Sequence, residues 1–263
     1  MRVTLAQLAP RPRDVTANLD RVVGLIADHR ASELLVVPEL FLSGYQLSHV
    51  EPLAVELDGP EVDRLRQAAG QADLAVIVGL AENTAGGVAN SAVCIDRSGE
   101  LVGVYRKTHL FGTENDVYTP GDRLSVVSLG GRRVGMMICF DLEFPEVVRT
   151  LAARGADVLV TVSANSPPFE VDHDLFARAR ALESGLPHVY DNRVGVEDGL
   201  PFCGGSLAVD PDARVLAEAG AEDEEVLTAD IGPPLRRDPR TRYLEQLRGD
   251  LYATGAESVR EEL

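Results

Sequence analysis

RRVGMMICFDLEFPEVVRTLAARGADVLVTVS, residues 132–163, contains the strand–helix–strand pattern that decides the fold. Its first apolar run ends at Cys139 and leads into a helix that we predict over 144–157. Pro145 suits the first turn of that helix and Gly155 suits its end, because proline needs no backbone donor there and glycine accepts the conformation that stops a helix. The closing apolar run, DVLVTVS, predicts a second strand. This order of elements indicates an α/β protein.

Similar segments extend from this unit in both directions. Asp14 is a plausible N-cap of a helix in the segment 14–30, and further helices are predicted over 61–73 and 174–185. Apolar β-rich runs predict strands or hairpins over 3–8, 33–39, 74–82, 90–107, 125–139, 188–196, 206–220 and 225–231. The hairpin over 125–139 should turn at Gly130-Gly131.

The number of strands suggests two sheets packed face to face under helices, although periodicity alone does not choose this arrangement over one large sheet. No internal repeat or linker divides the chain, so we expect a single domain over 1–263. Its core should span about 1–231. The polar segment 232–263 should be a C-terminal extension that packs outside the core or reaches a partner subunit.

Composition limits the classes of function. The 263 residues carry a formal net charge of −17, which argues against binding to nucleic acid or to an anionic membrane. No run reaches the roughly 18 apolar residues of a membrane-spanning helix, and the N-terminus does not resemble a signal peptide. Cys94, Cys139 and Cys203 form neither a disulfide set nor a CxxC pair, so we expect a reducing cytoplasm. No histidine spacing suggests a metal site, and no cofactor is called for.

Three reactive side chains stand at the ends of three predicted strands. Glu39 ends ELLVVPE, Lys107 ends LVGVYRK and Cys139 ends RRVGMMIC. Ligand sites in α/β sheets gather where strands end, so the three side chains are candidates for one site. Lys107 is also the only lysine among the 25 basic residues. Drift of the coding DNA toward arginine would explain a lone lysine without function, whereas a catalytic role would explain its place.

The chemistry of these three residues is coherent. A thiol on a sharp strand-to-helix turn resembles a nucleophile elbow, and we expect the helix N-terminus to favour the thiolate of Cys139. Glu39 can accept the thiol proton and later activate water. The compact ammonium of Lys107 suits a single developing negative charge better than the planar fork of arginine does.

PELFLSGY (38–45), YRKTHLFGTEN (105–115) and MICFDLEFPE (137–146) resemble the three signature blocks of the nitrilase, or carbon–nitrogen hydrolase, superfamily. The similarity continues in order to about residue 231. The resemblance implies an α-β-β-α sandwich, in four layers, that commonly pairs into homodimers or larger homo-oligomers. It also implies cysteine-based hydrolysis of a non-peptide C–N bond in a small amide or carbamoyl amine, through a thioester.

The resemblance also assigns residues. It implies Glu39 as general base, Lys107 as transition-state stabiliser and Cys139 as nucleophile, with the backbone N–H of Phe140 in the oxyanion hole. A second glutamate that orients the substrate and the lysine matches Glu114 best. Asp116 is the alternate, with a shorter side chain.

Specificity depends on the residues after the cysteine. Relatives that cleave nitriles typically have Trp-Glu there, so FDLEFPE favours an amidase or carbamoylase. Glu143 in this stretch would repel a carboxylate and accept an amine, which favours neutral or cationic amides; alternatively, it caps the helix that begins near Pro145. Tyr45 and Asn165 are further candidates for substrate binding, although Tyr45 would also suit a core and Asn165 a turn.

Other readings remain open at this level. The same thioester would serve a nitrilase or an acyltransferase, and a binding protein can keep the fold without activity. Among the remaining polar residues, we expect His173 to be an exposed loop residue. Cys94 and Cys203 should be structural, and buried Asp191 should pair with Arg193 or Arg180.

Overall fold

The computed structural model describes residues 1–252, which form a mixed α/β structure with four α-helices and fourteen strands. The helices are α1 (Val15–Asp28), α2 (Pro60–Ala72), α3 (Pro145–Ala153) and α4 (Glu170–Ser184). The strands are β1 (Arg2–Gln7), β2 (Leu34–Val37), β3 (Ala75–Thr84), β4 (Gly87–Ile95), β5 (Leu101–Arg106), β6 (Val126–Leu129), β7 (Arg132–Ile138), β8 (Val158–Ser163), β9 (His188–Asn192), β10 (Val194–Glu197), β11 (Leu200–Cys203), β12 (Leu207–Val209), β13 (Val215–Glu218) and β14 (Glu225–Asp230).

Two six-stranded sheets contain most of the strands. The first has the order β14-β1-β2-β3-β4-β5 and the second has the order β13-β12-β9-β8-β7-β6. The strands β10 and β11 form a separate antiparallel pair. Within each sheet, the central strands β1-β2-β3 and β7-β8-β9 are parallel, so their carboxyl ends lie at one edge.

Three apolar interfaces hold the layers together. A buried cluster between the two sheets contains Leu5, Val36 and Ile77 from the first sheet with Met136 and Val160 from the second. A second cluster packs α1 and α2 on the outer face of the first sheet. Smaller clusters pack α3 and α4 on the second sheet. The four-layer α-β-β-α expectation is therefore confirmed, and the choice between one sheet and two is settled by these interfaces.

Local signals placed several elements correctly. The carboxylate of Asp14 caps α1 by accepting from the backbone N–H of Ala17 at 3.0 Å. Pro145 is the first residue of α3. The hairpin of β6 and β7 turns at Gly130 and Gly131, which both have positive φ angles, a conformation that glycine adopts without strain.

Other boundaries differ from the prediction. Helix α4 begins at Glu170, four residues before the predicted start, and so includes the segment that contains His173. The predicted strand over 188–196 is two strands, because Arg193 separates β9 from β10. After Cys139 the chain makes a short 3-10 turn, Cys139–Glu143, before α3 begins.

The extension after residue 231 is described as far as residue 252. It packs on the outside of the second sheet's helix layer, where the backbone N–H of Leu235 donates to the carbonyl of Gly185 at 2.9 Å. Residues 253–263, which belong to the same predicted extension, lie outside the described residues. Within 1–252, none of the helices has the length and the apolar character needed to cross a membrane.

Candidate active site

The carboxyl ends of three strands bring the predicted residues together. Glu39 follows β2, Lys107 follows β5 and Cys139 follows β7. All three are buried. The structure places Lys107 and Glu39 in direct contact, with Nζ 2.8 Å from Oε1, and buries Cys139 at the end of a strand of the other sheet.

Glycine makes the position of Glu39 possible. A Cβ atom on Gly79 of β3 would overlap the backbone of Pro38 and Glu39. Because glycine has no side chain there, the segment after β2 can cross directly over the neighbouring strand. This close approach carries the Glu39 carboxylate into the interior between the sheets.

Cys139 stands on a strained turn. Its φ angle is +47°, in the left-handed region that residues with a side chain rarely adopt. The 3-10 turn begins at this residue, so the backbone N–H of Phe140 belongs to the first turn, where amide donors lack partners within the helix. The arrangement has the features of a nucleophile elbow, with a thiol beside a free amide donor.

The ammonium of Lys107 lies between two buried carboxylates. Its Nζ is 2.8 Å from Oε1 of Glu39 and 2.9 Å from Oε1 of Glu114. Burial opposes a positive charge, but these carboxylates raise the pKa of Lys107 well above its ordinary value. Lys107 is therefore charged at neutral pH and serves as a fixed cation in the site.

Burial also raises the pKa of Glu39, and the ion pair with Lys107 offsets part of that rise while the charge of Glu114 adds to it. Two carboxylates share one ammonium, so protonation of Glu39 relieves an excess of negative charge. A carboxylate with a raised pKa is a better proton acceptor near neutral pH.

The expectation of a resting thiolate is wrong. Burial and the charge of Glu39 raise the pKa of Cys139 above its ordinary value, and Lys107 and a hydrogen bond from Ser163 only partly oppose the rise. The predicted helix does not begin at Cys139 either, because a five-residue 3-10 turn, Cys139–Glu143, stands between the thiol and α3. The resting group is a thiol, which makes a nearby proton acceptor a requirement.

Glu114 is held in place by the residues around it. It lies in a 3-10 turn, Gly112–Asp116, and its Oε2 accepts from the backbone N–H of Phe111 at 2.9 Å. Its Oε1 accepts from the hydroxyl of Tyr45 at 2.7 Å as well as from Lys107. The alternate, Asp116, is exposed. The geometry thus favours Glu114 over Asp116 as the second carboxylate.

Asn90 and Ala164, which sequence reasoning missed, hold Glu39. The side-chain amide of Asn90 on β4 donates to Oε1 of Glu39 at 2.6 Å. The backbone N–H of Ala164, directly after β8, donates to Oε2 at 2.7 Å. Both donors favour the charged carboxylate and fix its orientation. The sequence offered one signal for Asn90, which is a polar residue within the apolar strand β4. It offered none for Ala164, because a backbone N–H donor does not depend on the type of residue.

Asp141 is a third residue that sequence reasoning missed, and it joins the turn at Cys139 to the loop after Lys107. Its Oδ2 accepts from the backbone N–H of Ile138 at 3.2 Å and from the hydroxyl of Tyr105 at 2.7 Å. Its Oδ1 accepts from the backbone N–H of His109 at 2.9 Å. One buried carboxylate thereby fixes the nucleophile relative to the cation.

A cavity of about 350 Å³ opens beside these groups. Cys139 and Glu114 line it, together with the substrate-binding candidates Tyr45, Glu143 and Asn165. An aromatic wall formed by Phe111, Phe140 and Phe169 completes one side, with ring centroids 5.2 Å apart for Phe111–Phe140 and 5.7 Å apart for Phe111–Phe169. The cavity is therefore largely apolar with few polar groups, as expected of a small-molecule site.

Glu143 faces the cavity and does not cap α3. The cap position of α3 is Phe144, which has no side-chain hydrogen bond to the helix. The Oε1 atom of Glu143 lies instead 3.4 Å from Nε2 of His173. Of the two alternatives for Glu143, the structure selects the position in the wall of the cavity.

His173 is not an exposed loop residue as predicted. It lies on α4, is 2% exposed, and its Nδ1 is 2.8 Å from the hydroxyl of Tyr190. The early start of α4 turns this residue inward toward the second sheet. It also lines the cavity, so it belongs to the site.

The predicted pairing of Asp191 is also wrong. Arg193 pairs with Glu197 at 2.6 Å and stacks on Phe202, and Arg180 pairs with Glu183. Asp191 accepts from the backbone N–H of Ala6 at 3.3 Å, and its Oδ1 has no partner among the described residues.

The remaining candidates have structural contacts. Asn165 lines the cavity, and its amide also donates to the carbonyl of Phe169 at 3.0 Å. Cys94 is buried in the core between the sheets, and burial raises its pKa to about 12. Cys203 donates to the carbonyl of Asn165 at 3.3 Å, and burial raises its pKa to about 11.

Comparison with known proteins defines the class. The family model for carbon-nitrogen hydrolases matches residues 2–240. An (R)-stereoselective amidase of Pseudomonas sp is 43% identical over 229 residues, which cover 85% of this chain and 82% of that protein. The NitN amidase of Nesterenkonia sp. AN1 has a TM-score of 0.85 at 33% identity and covers 95% of this chain and 98% of that one. A variant of the Nesterenkonia amidase has a TM-score of 0.86 at 32% identity, and the match covers 95% of this chain and 98% of that one. That variant carries acrylamide, added at its active-site cysteine.

The chain belongs to the carbon-nitrogen hydrolase family. Together, the family match, the amidase relatives and the adduct on a relative's cysteine confirm the expectation of a carbon–nitrogen hydrolase that acts on amides.

Proposed function

We propose that this protein hydrolyses small linear amides with Cys139 as nucleophile, Glu39 as general base and Lys107 as transition-state stabiliser. The observation that carries the proposal is the placement of the Lys107 ammonium 2.8 Å from Glu39 and 2.9 Å from Glu114, where Glu114 and Cys139 both line the same cavity. It joins a nucleophile, a base and a fixed cation in one buried site.

The first half of the reaction forms a thioester. Glu39 accepts the thiol proton as Cys139 attacks the carbonyl carbon of the amide. The oxyanion receives hydrogen bonds from the Lys107 ammonium and the backbone N–H of Phe140, which stabilise charge that develops only in the transition state. The C–N bond then breaks, and Glu39 passes the proton to the leaving nitrogen, which departs as ammonia or an amine.

The second half releases the acid. Water enters the space left by the amine, and Glu39 accepts one of its protons while the oxygen attacks the thioester. The same two donors hold the second oxyanion. The C–S bond breaks, Glu39 returns the proton to the sulfur, and the products are a carboxylic acid and the resting thiol. One amide and one water are consumed for each acid and each ammonia or amine.

Glu114 supports Lys107 in this scheme. It lies 2.9 Å from the ammonium and accepts from Tyr45 at 2.7 Å, so it orients the cation and opposes its deprotonation. Tyr45 and Asn165 are the polar groups of the cavity wall that we assign to substrate binding, with Glu143.

The cavity wall favours one class of acyl group. Phe111, Phe140 and Phe169 present apolar surface, and Glu143 presents a half-buried carboxylate. This combination suits amides with an apolar acyl chain that are neutral or carry an amine, and it disfavours substrate carboxylates. Carbamoyl amines remain within the same mechanism.

The test is release of ammonia from a panel of amides, carbamoyl amines, ω-amides and nitriles. We expect turnover of neutral and amine-bearing amides, and loss of turnover in Cys139→Ala with the fold intact by circular dichroism. Retained turnover in Cys139→Ala would remove the nucleophile assignment, and turnover of nitriles alone would overturn the amidase proposal.

We also infer one catalytic domain, with a core over about 1–231 and an extension over 232–263, that assembles into a homodimer or larger homo-oligomer in the cytoplasm. The family match over 2–240 supports the single domain.

The exposed side chains of Val171 and Leu175 on α4 support self-association. The three unpaired cysteines support a reducing compartment. Light scattering should give a mass at least twice that of the chain; a monomer would contradict the assembly.

A further inference from the structure

A buried ion pair at the start and end of β10 takes no part in the proposed mechanism. Nη1 of Arg193, the residue directly before β10, donates to Oε2 of Glu197 at 2.6 Å. Both side chains are 1% exposed or less. A buried pair gains little net stability, because each charge loses its hydration. The contacts that the pair makes, rather than its own attraction, therefore indicate what it does.

Glu197 holds the backbone that carries Tyr45. Its Oε2 also accepts from the backbone N–H of Tyr45 at 3.1 Å, and its Oε1 accepts from the side-chain amide of Gln46. Gly44 leaves room for these contacts, because a Cβ atom at that position would overlap the Glu197 carboxylate. One carboxylate at the end of β10 thus binds two successive residues of the segment that follows β2.

Arg193 also constrains the ring of Tyr45, through Phe202 on β11. The guanidinium carbon of Arg193 lies 3.9 Å from the centroid of the Phe202 ring. The Phe202 ring meets the Tyr45 ring edge to face, with the two centroids 5.7 Å apart. Both arrangements are attractive, the first between a cation and a ring face and the second between two rings. The ion pair therefore fixes the ring of Tyr45 as well as its backbone.

Tyr45 extends these contacts into the active site. Its hydroxyl donates to Oε1 of Glu114 at 2.7 Å, and the same oxygen accepts from the Lys107 ammonium at 2.9 Å. The direction of each hydrogen bond is set by chemistry, because the guanidinium, the backbone N–H, the hydroxyl and the ammonium donate while the two carboxylates accept. The contacts from Arg193 thus lead to the cation to which the mechanism assigns the oxyanion.

We propose that Arg193 and Glu197 form a positioning pair that fixes Tyr45 against Glu114. Through these contacts the positioning pair sets the orientation of the Lys107 ammonium, which receives the amide oxygen. The inference rests on the proposed function, because it takes Lys107 as the group that binds that oxygen. Neither residue of the pair is among the described residues that line the cavity, so both act through Tyr45.

The test compares two reagents that alkylate Cys139 in the free protein. Iodoacetamide carries an amide whose oxygen Lys107 can bind, whereas allyl bromide is of similar size and carries no polar group. Peptide mapping separates Cys139 from Cys94 and Cys203 and gives the rate for each reagent. The ratio of the iodoacetamide rate to the allyl bromide rate reports recognition of the amide, and it cancels any change in the reactivity of the thiol itself.

Three variants follow the contacts from the positioning pair to the site. Tyr45→Phe should lower the ratio about tenfold, the size expected for loss of a hydrogen bond to a charged group. Glu197→Gln should lower it about fivefold, because a small displacement of a binding group is costly. Combined with Tyr45→Phe, Glu197→Gln should have no further effect, since the contact with Glu114 is already lost.

Glu82→Gln is the matched control. Glu82 is also a buried glutamate that accepts from an arginine, Arg106, at 2.8 Å, but its second donor is the hydroxyl of Ser91. This variant should keep the wild-type ratio even where thermal unfolding shows lost stability. If Glu197→Gln does not fold, Arg193→Met combined with Glu197→Gln takes its place, because removal of both charges leaves no unpaired arginine in the interior.

Three results would overturn the positioning pair. They are a wild-type ratio in folded Glu197→Gln or its replacement, a wild-type ratio in Tyr45→Phe, and an undiminished effect of Glu197→Gln in the presence of Tyr45→Phe. An equal fall of the ratio in Glu82→Gln would also overturn it, by assigning the effect to lost stability. Alkylation requires no turnover, so failure of every amide in the turnover panel would refute the proposed hydrolysis while leaving this result intact.

Discussion

The Nζ atom of Lys107 lies 2.8 Å from Oε1 of Glu39, and neither side chain is exposed to solvent. Desolvation makes a buried ion pair a poor source of stability. A fixed cation beside a carboxylate of raised pKa is, however, well suited to chemistry that moves a proton and creates an oxyanion. The relationship therefore has consequences for activity that mutagenesis can test.

Replacement of Lys107 by arginine should lower kcat about 100- to 1,000-fold, the loss seen when an oxyanion donor is removed. The guanidinium keeps the charge, but it is larger and planar, and the space between Glu39 and Glu114 fits a compact ammonium. Steady-state ammonia release measures the effect. The adjoining Arg106, which pairs with Glu82 outside the site, offers the reciprocal control, and Arg106→Lys should remain close to wild type. Near wild-type activity in Lys107→Arg would contradict the proposed role.

Glu114→Gln should lower kcat about tenfold, because Lys107 loses a charged partner. It should also shift the acid limb of kcat/KM to lower pH. Activity requires deprotonated Glu39, and burial together with the charge of Glu114 raises the Glu39 pKa. Activity therefore rises with pH through that raised value, and removal of one contributor lowers it. An unchanged or upward-shifted limb would contradict the electrostatic coupling.

Asn90→Ala should move the same limb in the opposite direction. The amide of Asn90 donates to Glu39 at 2.6 Å and stabilises the charged carboxylate. Without this bond the Glu39 pKa rises further, so kcat/KM should reach its plateau at a higher pH. The check is to measure the pH profile of kcat/KM for Asn90→Ala and for Glu114→Gln. If the acid limb shifts in the same direction in both variants, either the role of Asn90 or the role of Glu114 in setting the Glu39 pKa is wrong.

Glu143→Gln should change which substrates are preferred. The carboxylate faces the cavity and is partly exposed, so its attraction for an amine-bearing substrate is worth about 1 kcal/mol. The ratio of kcat/KM for an amine-bearing amide to that for its neutral isostere should fall about fivefold. The ratio cancels any effect on Cys139 common to both substrates. No change in the ratio would remove Glu143 from substrate recognition.

Asp191→Asn should stabilise the protein at pH 8 more than at pH 5. Burial raises the pKa of Asp191 well above its ordinary value, so the folded state holds a proton that the unfolded state releases. Stability is then lost as pH rises from the unfolded pKa through the higher folded pKa. A neutral asparagine removes this loss. Urea unfolding at both pH values measures the difference, and equal effects would show that Asp191 does not titrate differently on folding.

Local pattern was sufficient for the α/β class and for the reactive trio, whereas the choice between one sheet and two depended on the packing between the layers. Strands can be predicted from apolar runs because buried positions along a strand are occupied by apolar residues, in alternation or continuously. Glu39, Lys107 and Cys139 stand at the ends of such runs. The same reasoning failed for His173, whose inward direction depends on an earlier start of α4. It also failed for Asp191, whose surroundings come from distant strands.

By itself, the sequence determined the α/β class, the family and the three strand-end residues. Each of these can be recognised from a local pattern, either the periodicity of apolar residues or a short motif. The tertiary structure alone decided how Glu39 is held, since its donor Ala164 lies 125 positions away along the chain. It also decided that Cys139 rests as a thiol, and that Glu143 faces the cavity beside His173. Burial, and hydrogen bonds between segments that are distant along the chain, set these properties. Neither can be inferred from the residues that neighbour Glu39, Cys139 or Glu143 in the sequence.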